Sequence, residues 1–160
     1  MKKINSLKES SFLQSNEAIK RKISAFDGIA TEPIRIYGGT VRTYFTLGYM
    51  YLSLLDEIVA KEYPDYFPYY QAVMDGHWLS CANVIILKRE YYAQYCQFLF
   101  GVLFRHIELM KERHILEEPY HEKAFDRGAG YLAEILTCVY IRKIEADGLK
   151  IGYPNMFFLK

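Results

Sequence analysis

No Gly-rich phosphate loop of the Walker or dinucleotide type occurs in this chain, so the commonest backbone cradles for nucleotide phosphates are missing. There is no Asp-x-Asp pair, which removes the familiar two-carboxylate metal site for a nucleotide diphosphate, and no Gly-x-Ser-x-Gly elbow. His77, His106, His114 and His121 never fall one helical turn apart, so no zinc pair and no other metal site is predicted. Charge of one sign is also missing. The formal net charge is +1, with both signs interspersed, which argues against a nucleic-acid partner.

Cysteine is scarce: Cys81, Cys96 and Cys138 are widely spaced, odd in number and set in apolar surroundings. They read as reduced core thiols of a cytoplasmic protein. No apolar run is long enough to span a membrane, and the polar start Met1-Lys2-Lys3-Ile4-Asn5-Ser6 lacks the apolar centre of a signal peptide. The expected location is the cytoplasm, at most peripheral to the inner face of the membrane.

What is present is a 160-residue chain, 51% hydrophobic, with 15 Tyr and 10 Phe. That length reads as one domain, 1–160, with apolar content sufficient for a core. Tyrosine in such numbers suits half-buried surfaces and polar ligands such as sugars, and suits equally a helical core with wet edges.

The organising stretch is Asn83 to Lys143. Asn83-Val84-Ile85-Ile86-Leu87 is rich in β-branched residues and reads as a buried strand. A helix follows over Arg89–Arg113, where Tyr92, Tyr95, Cys96, Leu99, Val102, Leu103, His106, Ile107 and Met110 recur at spacings of three and four. The polar stretch His114–Tyr120, with Pro119, separates it from a second helix over His121–Ile144, striped by Phe125, Leu132, Leu136, Val139 and Tyr140.

Earlier in the chain, a helix capped by Ser15 or Asn16 continues through Ile19, Ile23 and Phe26 and stops near Asp27-Gly28. Ile29-Ala30 and Ile34–Tyr37 are strand-like pieces split by Pro33. Gly38-Gly39 precedes a helix over Val41–Leu47 with Thr40 as its cap; the pair could aim N–H groups at an anion, and the plain turn is the simpler reading. Leu52, Leu55, Ile58 and Val59 mark a helix ending before Pro64; Asp65–Met74 is a short helix, Asp75-Gly76 a turn, and Leu149-Lys150-Ile151 a short strand. The fold class is α+β, helix-dominated with a few short strands.

Chemistry concentrates at Arg127, Gly130 and Glu134. Seven residues are nearly two helical turns, so Arg127 and Glu134 share a face about 10 Å apart along the axis. Gly130 between them removes a side chain and permits close approach of a backbone or a ligand, at a helix cost of about 1 kcal/mol against Ala. Glu134, flanked by Leu132, Ala133, Ile135 and Leu136, would act as a general base if desolvated; a structural ion pair with Arg127 or another cation is the competing reading. His106, on the apolar stripe, reads as a satisfied core group.

Over about Asp27 to Pro154 the chain resembles the bacterial glycosyltransferases of capsular and exopolysaccharide gene clusters, a GT-A-like group long catalogued as a domain of unknown function. The resemblance is carried by Lys61-Glu62-Tyr63-Pro64-Asp65-Tyr66, Asn83-Val84-Ile85-Ile86-Leu87-Lys88-Arg89-Glu90, Tyr95-Cys96-Gln97-Phe98-Leu99-Phe100, and Asp126-Arg127 through Gly130-Tyr131-Leu132-Ala133-Glu134. It implies the C-terminal portion of a GT-A-like fold, a nucleotide-sugar donor and a glycan acceptor. It also implies Glu134 and Arg127 as catalytic residues and Asn83 and Gly130 as substrate-binding or site-shaping ones. No cofactor beyond the donor is visible in the chain.

Two departures accompany the resemblance. The family's N-terminal Cys-His-Tyr-Arg-Arg-like motif would precede residue 1. Its His and Asp-Leu-Asp run is replaced by Leu47, Tyr51, Leu52 and Ser53. The expectations that follow are a chain inactive alone, assembled as a homo-oligomer or with a second chain supplying the missing half. The alternatives are a non-catalytic relative that binds a glycan or partner, or a helical interaction module.

Overall fold

The computed structural model describes residues 24–44, 49–80, 83–115 and 119–153, with backbone only for 49, 50 and 119–126. The expected helix from Ser15, the strip 45–48, Cys81, the Phe125 side chain and the aromatic C-terminal tail lie outside the described residues or side chains.

Two small sheets sit against a helical body. In the first, β1 (Gly28–Ala30) lies between β4 (Ile85–Leu87), antiparallel, and β5 (Ile151–Gly152), parallel. In the second, β2 (Ile34–Arg35) pairs antiparallel with β3 (Trp78–Leu79), setting Ile34 opposite Leu79 and Arg35 opposite Trp78. The helices are α1 (Val41–Tyr44), α2 (Tyr49–Glu62), α3 (Phe67–Met74), α4 (Arg89–Glu112) and α5 (Pro119–Ala146), with a 3₁₀ turn at Pro64–Tyr66 ahead of α3. The α+β, helix-dominated expectation holds.

The core lies where α5 meets α3 and α4, and where α4 meets α2. Leu55, Val59, Tyr70, Met74, Val102, Met110, Ile135, Leu136 and Val139 are wholly enclosed there. The Tyr63–Tyr66 segment plugs this junction. The Tyr66 ring stacks on Phe98 at 3.9 Å between centroids, and Lys143 Nζ of α5 lies over the same ring, 5.5 Å from its centroid.

Both long helices end in the same motif. After α5, Gly148 takes φ 94°, and the N–H groups of Leu149 and Gly148 reach back to the carbonyls of Ile144 and Glu145. After α4 the left-handed position is His114, φ 55°, with Ile115 bonded to Met110 and His114 to Lys111. Pro119, expected in the separating loop, is instead the first residue of α5, where its missing N–H costs nothing.

Two expectations are corrected. The strand begins at Ile85, not Asn83, and it is an edge strand rather than a buried one: Ile86 is 51% exposed. A β-branched run serves a half-covered edge as well as a core. Tyr92 does not belong to the α4 stripe; it is exposed, and Phe98 and Leu109 take the buried positions instead. The Gly38-Gly39 pair is a plain turn, in line with the simpler reading: His77 Nδ1 contacts the Gly39 carbonyl at 2.6 Å, and α1 behind it has only four residues.

Candidate functional site

The segment leading into β4 turns sharply at Asn83, whose φ of 49° lies in the left-handed region that asparagine tolerates better than most side chains. That turn aims its amide at α5. Nδ2 donates to the Gly130 carbonyl at 3.4 Å, and Oδ1 lies 3.1 Å from Thr137 Oγ1. Thr137 also bonds the Ala133 carbonyl at 2.7 Å and the Tyr95 hydroxyl at 2.8 Å. Thr137 has one proton and three oxygen partners, so Tyr95 supplies the second proton of the set. Burial pushes the Tyr95 phenol above its ordinary range, which keeps it a donor. The chain is thus stitched from α4 through α5 to the turn before β4.

Residues 130, 133 and 137 fall on one side of α5, and Glu134 lies about 40° around the helix from Gly130. Arg127, Gly130 and Tyr131 are exposed, and Glu134 is half-buried. The structure therefore brings Asn83 against Gly130 and carries Arg127 and Glu134 on the adjoining face of the same unbroken helix. A Cβ on Gly130 would meet nothing within 4 Å among the described residues. Of the backbone or ligand whose close approach was expected, no backbone among the described residues takes that place, and those residues leave the space over the glycine open.

The same face continues toward the C-terminus of α5 as Cys138, Ile141 and Arg142, and there the surface is concave. A narrow cavity of about 50 Å³ is walled by Ser80, His77, Cys138 and Tyr153; it shares Pro33, Trp78 and Arg142 with a wider, open cleft of about 340 Å³ that Glu32 also bounds. The cavity wall is held by local bonds. Ser80 N–H donates to Cys138 Sγ at 3.2 Å, and Tyr153 donates to Glu145 at 2.6 Å. Sequence reasoning missed this cleft entirely. β3 is two residues long, too short to show a period, and the only signal was the lone tryptophan.

His106 is fully enclosed, as expected, with Nε2 2.9 Å from the Tyr51 carbonyl, so Nε2 carries the proton. Its Nδ1 has no hydrogen-bond partner among the described residues, so the group is only half satisfied. Among those residues no group of three His, Cys, Asp or Glu side chains is arranged to hold a metal ion, and no helix is long and apolar enough to cross a membrane.

Comparison with curated proteins finds no match. Among solved structures, the apo structure of WbbM, described as a bifunctional glycosyltransferase, superposes with a TM-score of 0.71 at 23% identity, over 86% of this chain and 25% of that one. The chain thus spans about a quarter of that protein's length and shares its fold there. The sequence profile of one family, described as a domain of unknown function (DUF4422), matches residues 2–145, nine-tenths of the chain, and on that match the chain belongs to the DUF4422 family.

Proposed function

We propose that this chain is a glycosyltransferase domain, acting in the transfer of a sugar from a nucleotide-sugar donor to a growing surface polysaccharide. The observation that carries the reading is the α5 face on which Arg127, Gly130 and Glu134 stand in line, anchored by Asn83, in a fold shared with part of a bifunctional glycosyltransferase. In the transfer, an acceptor hydroxyl oxygen forms a bond to the anomeric carbon as the bond from that carbon to the donor phosphate breaks. Glu134 takes the hydroxyl proton, and the nucleoside diphosphate leaves with the bonding electron pair, its charge met by Arg127. The axial separation of about 10 Å between the two side chains' positions leaves room for the reacting sugar between base and leaving group.

A second reading keeps the same surface without turnover: a relative that binds glycan or a partner chain. It is favoured by Leu47, Tyr51, Leu52 and Ser53 standing where the resemblance implies the family's Asp-Leu-Asp run. Release of nucleoside diphosphate from a panel of common donors, with and without oligosaccharide acceptors, separates the two. Turnover above a Glu134→Gln control supports the catalytic reading, and its absence in the isolated chain supports the second. Sedimentation at micromolar concentration tests the accompanying proposal that the chain works as a homodimer or with a second chain.

A further inference from the structure

The strand alternation of β3 forces an unusual exposure. Leu79 points into the core and is 0% exposed, so its neighbour Trp78 must face outward, where 51% of it remains accessible. This half-exposed indole borders the open cleft. Facing it are Arg142 from α5 and Glu32 from the loop before β2. Both are exposed, and neither is in a salt bridge with another described residue. The cleft volume of about 340 Å³ falls in the range of small-molecule sites, roughly 300–1,000 Å³.

We infer that the Trp78–Arg142–Glu32 cleft is a subsite for a neutral pyranose ring of the glycan acceptor, stacked on the indole. The inference rests on the glycosyltransferase reading and adds the place and chemistry of acceptor binding to it. A sugar ring has an apolar C–H face for the indole and a rim of hydroxyls that both donate and accept. Glu32 accepts from such a rim and Arg142 donates to it. A diphosphate fits the same pair poorly, because the Glu32 charge opposes it as much as the Arg142 charge attracts it. Position supports the assignment as well. Glu134, Cys138 and Arg142 follow one another at four-residue spacing along α5, so Arg142 stands about two turns, roughly 12 Å, beyond Glu134 on the adjoining face of the helix. A glycan seated on Trp78 would run along that face toward the proposed base.

Trp78 is the sole tryptophan, so the emission of the intact chain reports on this cleft directly. The test is a fluorescence titration with neutral glucose and galactose oligosaccharides of two to four residues, and with UDP as the charged comparison. Calorimetry serves for the Trp78→Ala variant, and circular dichroism confirms that each variant is folded. The expected result is a saturable emission change with a neutral oligosaccharide, an affinity at least about tenfold weaker in Arg142→Ala, Glu32→Gln and Trp78→Ala, and no loss in Lys61→Ala, an exposed α2 residue away from the cleft. No saturable response to any of the oligosaccharides would overturn the inference. So would undiminished affinity in Trp78→Ala and Arg142→Ala, or UDP competing at the same cleft; the catalytic reading would then stand on its own test. Conversely, sugar binding lost in Arg142→Ala, alongside transfer that survives Glu134→Gln, would uphold the subsite and sink the role of Glu134.

Discussion

The Asn83 side-chain amide donates to the Gly130 carbonyl at 3.4 Å, joining two positions 47 residues apart. The bond ties the turn ahead of β4 to the middle of α5, and through Thr137 and Tyr95 it reaches α4. Every member of this set is a backbone carbonyl, an amide or a hydroxyl, and neither Arg127 nor Glu134 belongs to it.

Two substitutions separate what Asn83 does with its backbone from what it does with its side chain. Asn83→Gly keeps the left-handed turn and loses the two amide bonds, whereas Asn83→Ala loses the bonds and strains the turn. Urea denaturation should show Gly costing about 1 kcal/mol and Ala about 1 kcal/mol more. Equal losses would mean that the turn relaxes and that φ at 83 is not a constraint.

His106 sets a pH dependence. Burial holds its pKa below the ordinary 6.5, only partly opposed by the bond to the Tyr51 carbonyl. Above the unfolded pKa of about 6.5, the ring is neutral in both states and contributes no pH slope. As pH falls through that value, the unfolded chain takes up a proton that the folded chain refuses, so stability declines down to the depressed folded pKa. The decline from this residue is at most about 1.4 kcal/mol per pH unit. Denaturation between pH 7 and 5 should show a steeper loss in the wild type than in His106→Gln, which retains a donor toward Tyr51. Parallel curves would assign the acid sensitivity to other groups.

The two long helices were legible because 24 and 28 residues give a 3.6-residue period room to declare itself. Even so, the expected α4 stripe includes the exposed Tyr92 and omits the buried Phe98 and Leu109, because aromatic rings fill both core and surface positions in this chain. The strands were harder. None exceeds three residues, so alternation never appears, and β3 went unseen. The shared face of Arg127, Gly130 and Glu134 followed from helix geometry alone. Neighbours such as Tyr95 and Thr137 did not, because long-range pairing leaves no local trace. The Trp78 cleft draws on residues near 32, 78, 142 and 153, which no short window of sequence contains.

His114 occupies the position after α4 that Gly148 occupies after α5, with φ 55° against 94°. A glycine relieves the steric cost of that conformation, so His114→Gly should stabilise the protein by about 0.5–1 kcal/mol, less whatever the imidazole contributes through its own contacts. The mirror change, Gly148→Ala, should destabilise by a similar amount, about 1 kcal/mol. Thermal melts of the two variants should move in opposite directions. A destabilised His114→Gly would show that the imidazole's contacts outweigh backbone strain.

The last pair concerns two glycines inside helices. Gly101 of α4 lies against Tyr63, and a Cβ there would overlap the Tyr63 hydroxyl. Because Tyr63 packs edge-on to Phe98 at 5.5 Å, it cannot withdraw without disturbing the plug between α2 and α4, so Gly101→Ala should cost about 1–3 kcal/mol. At Gly130 a Cβ would stand in open space, and the gain in helix propensity should make Gly130→Ala as stable as the wild type or up to about 1 kcal/mol more stable. Among the described residues nothing packs against this position to require glycine, although Glu134 and Arg127 stand beside it. If the open space serves a ligand, Gly130→Ala should lower nucleoside diphosphate release or glycan affinity by about tenfold while raising the melting temperature. A Gly130→Ala variant that is more stable and equally competent would remove Gly130 from the site.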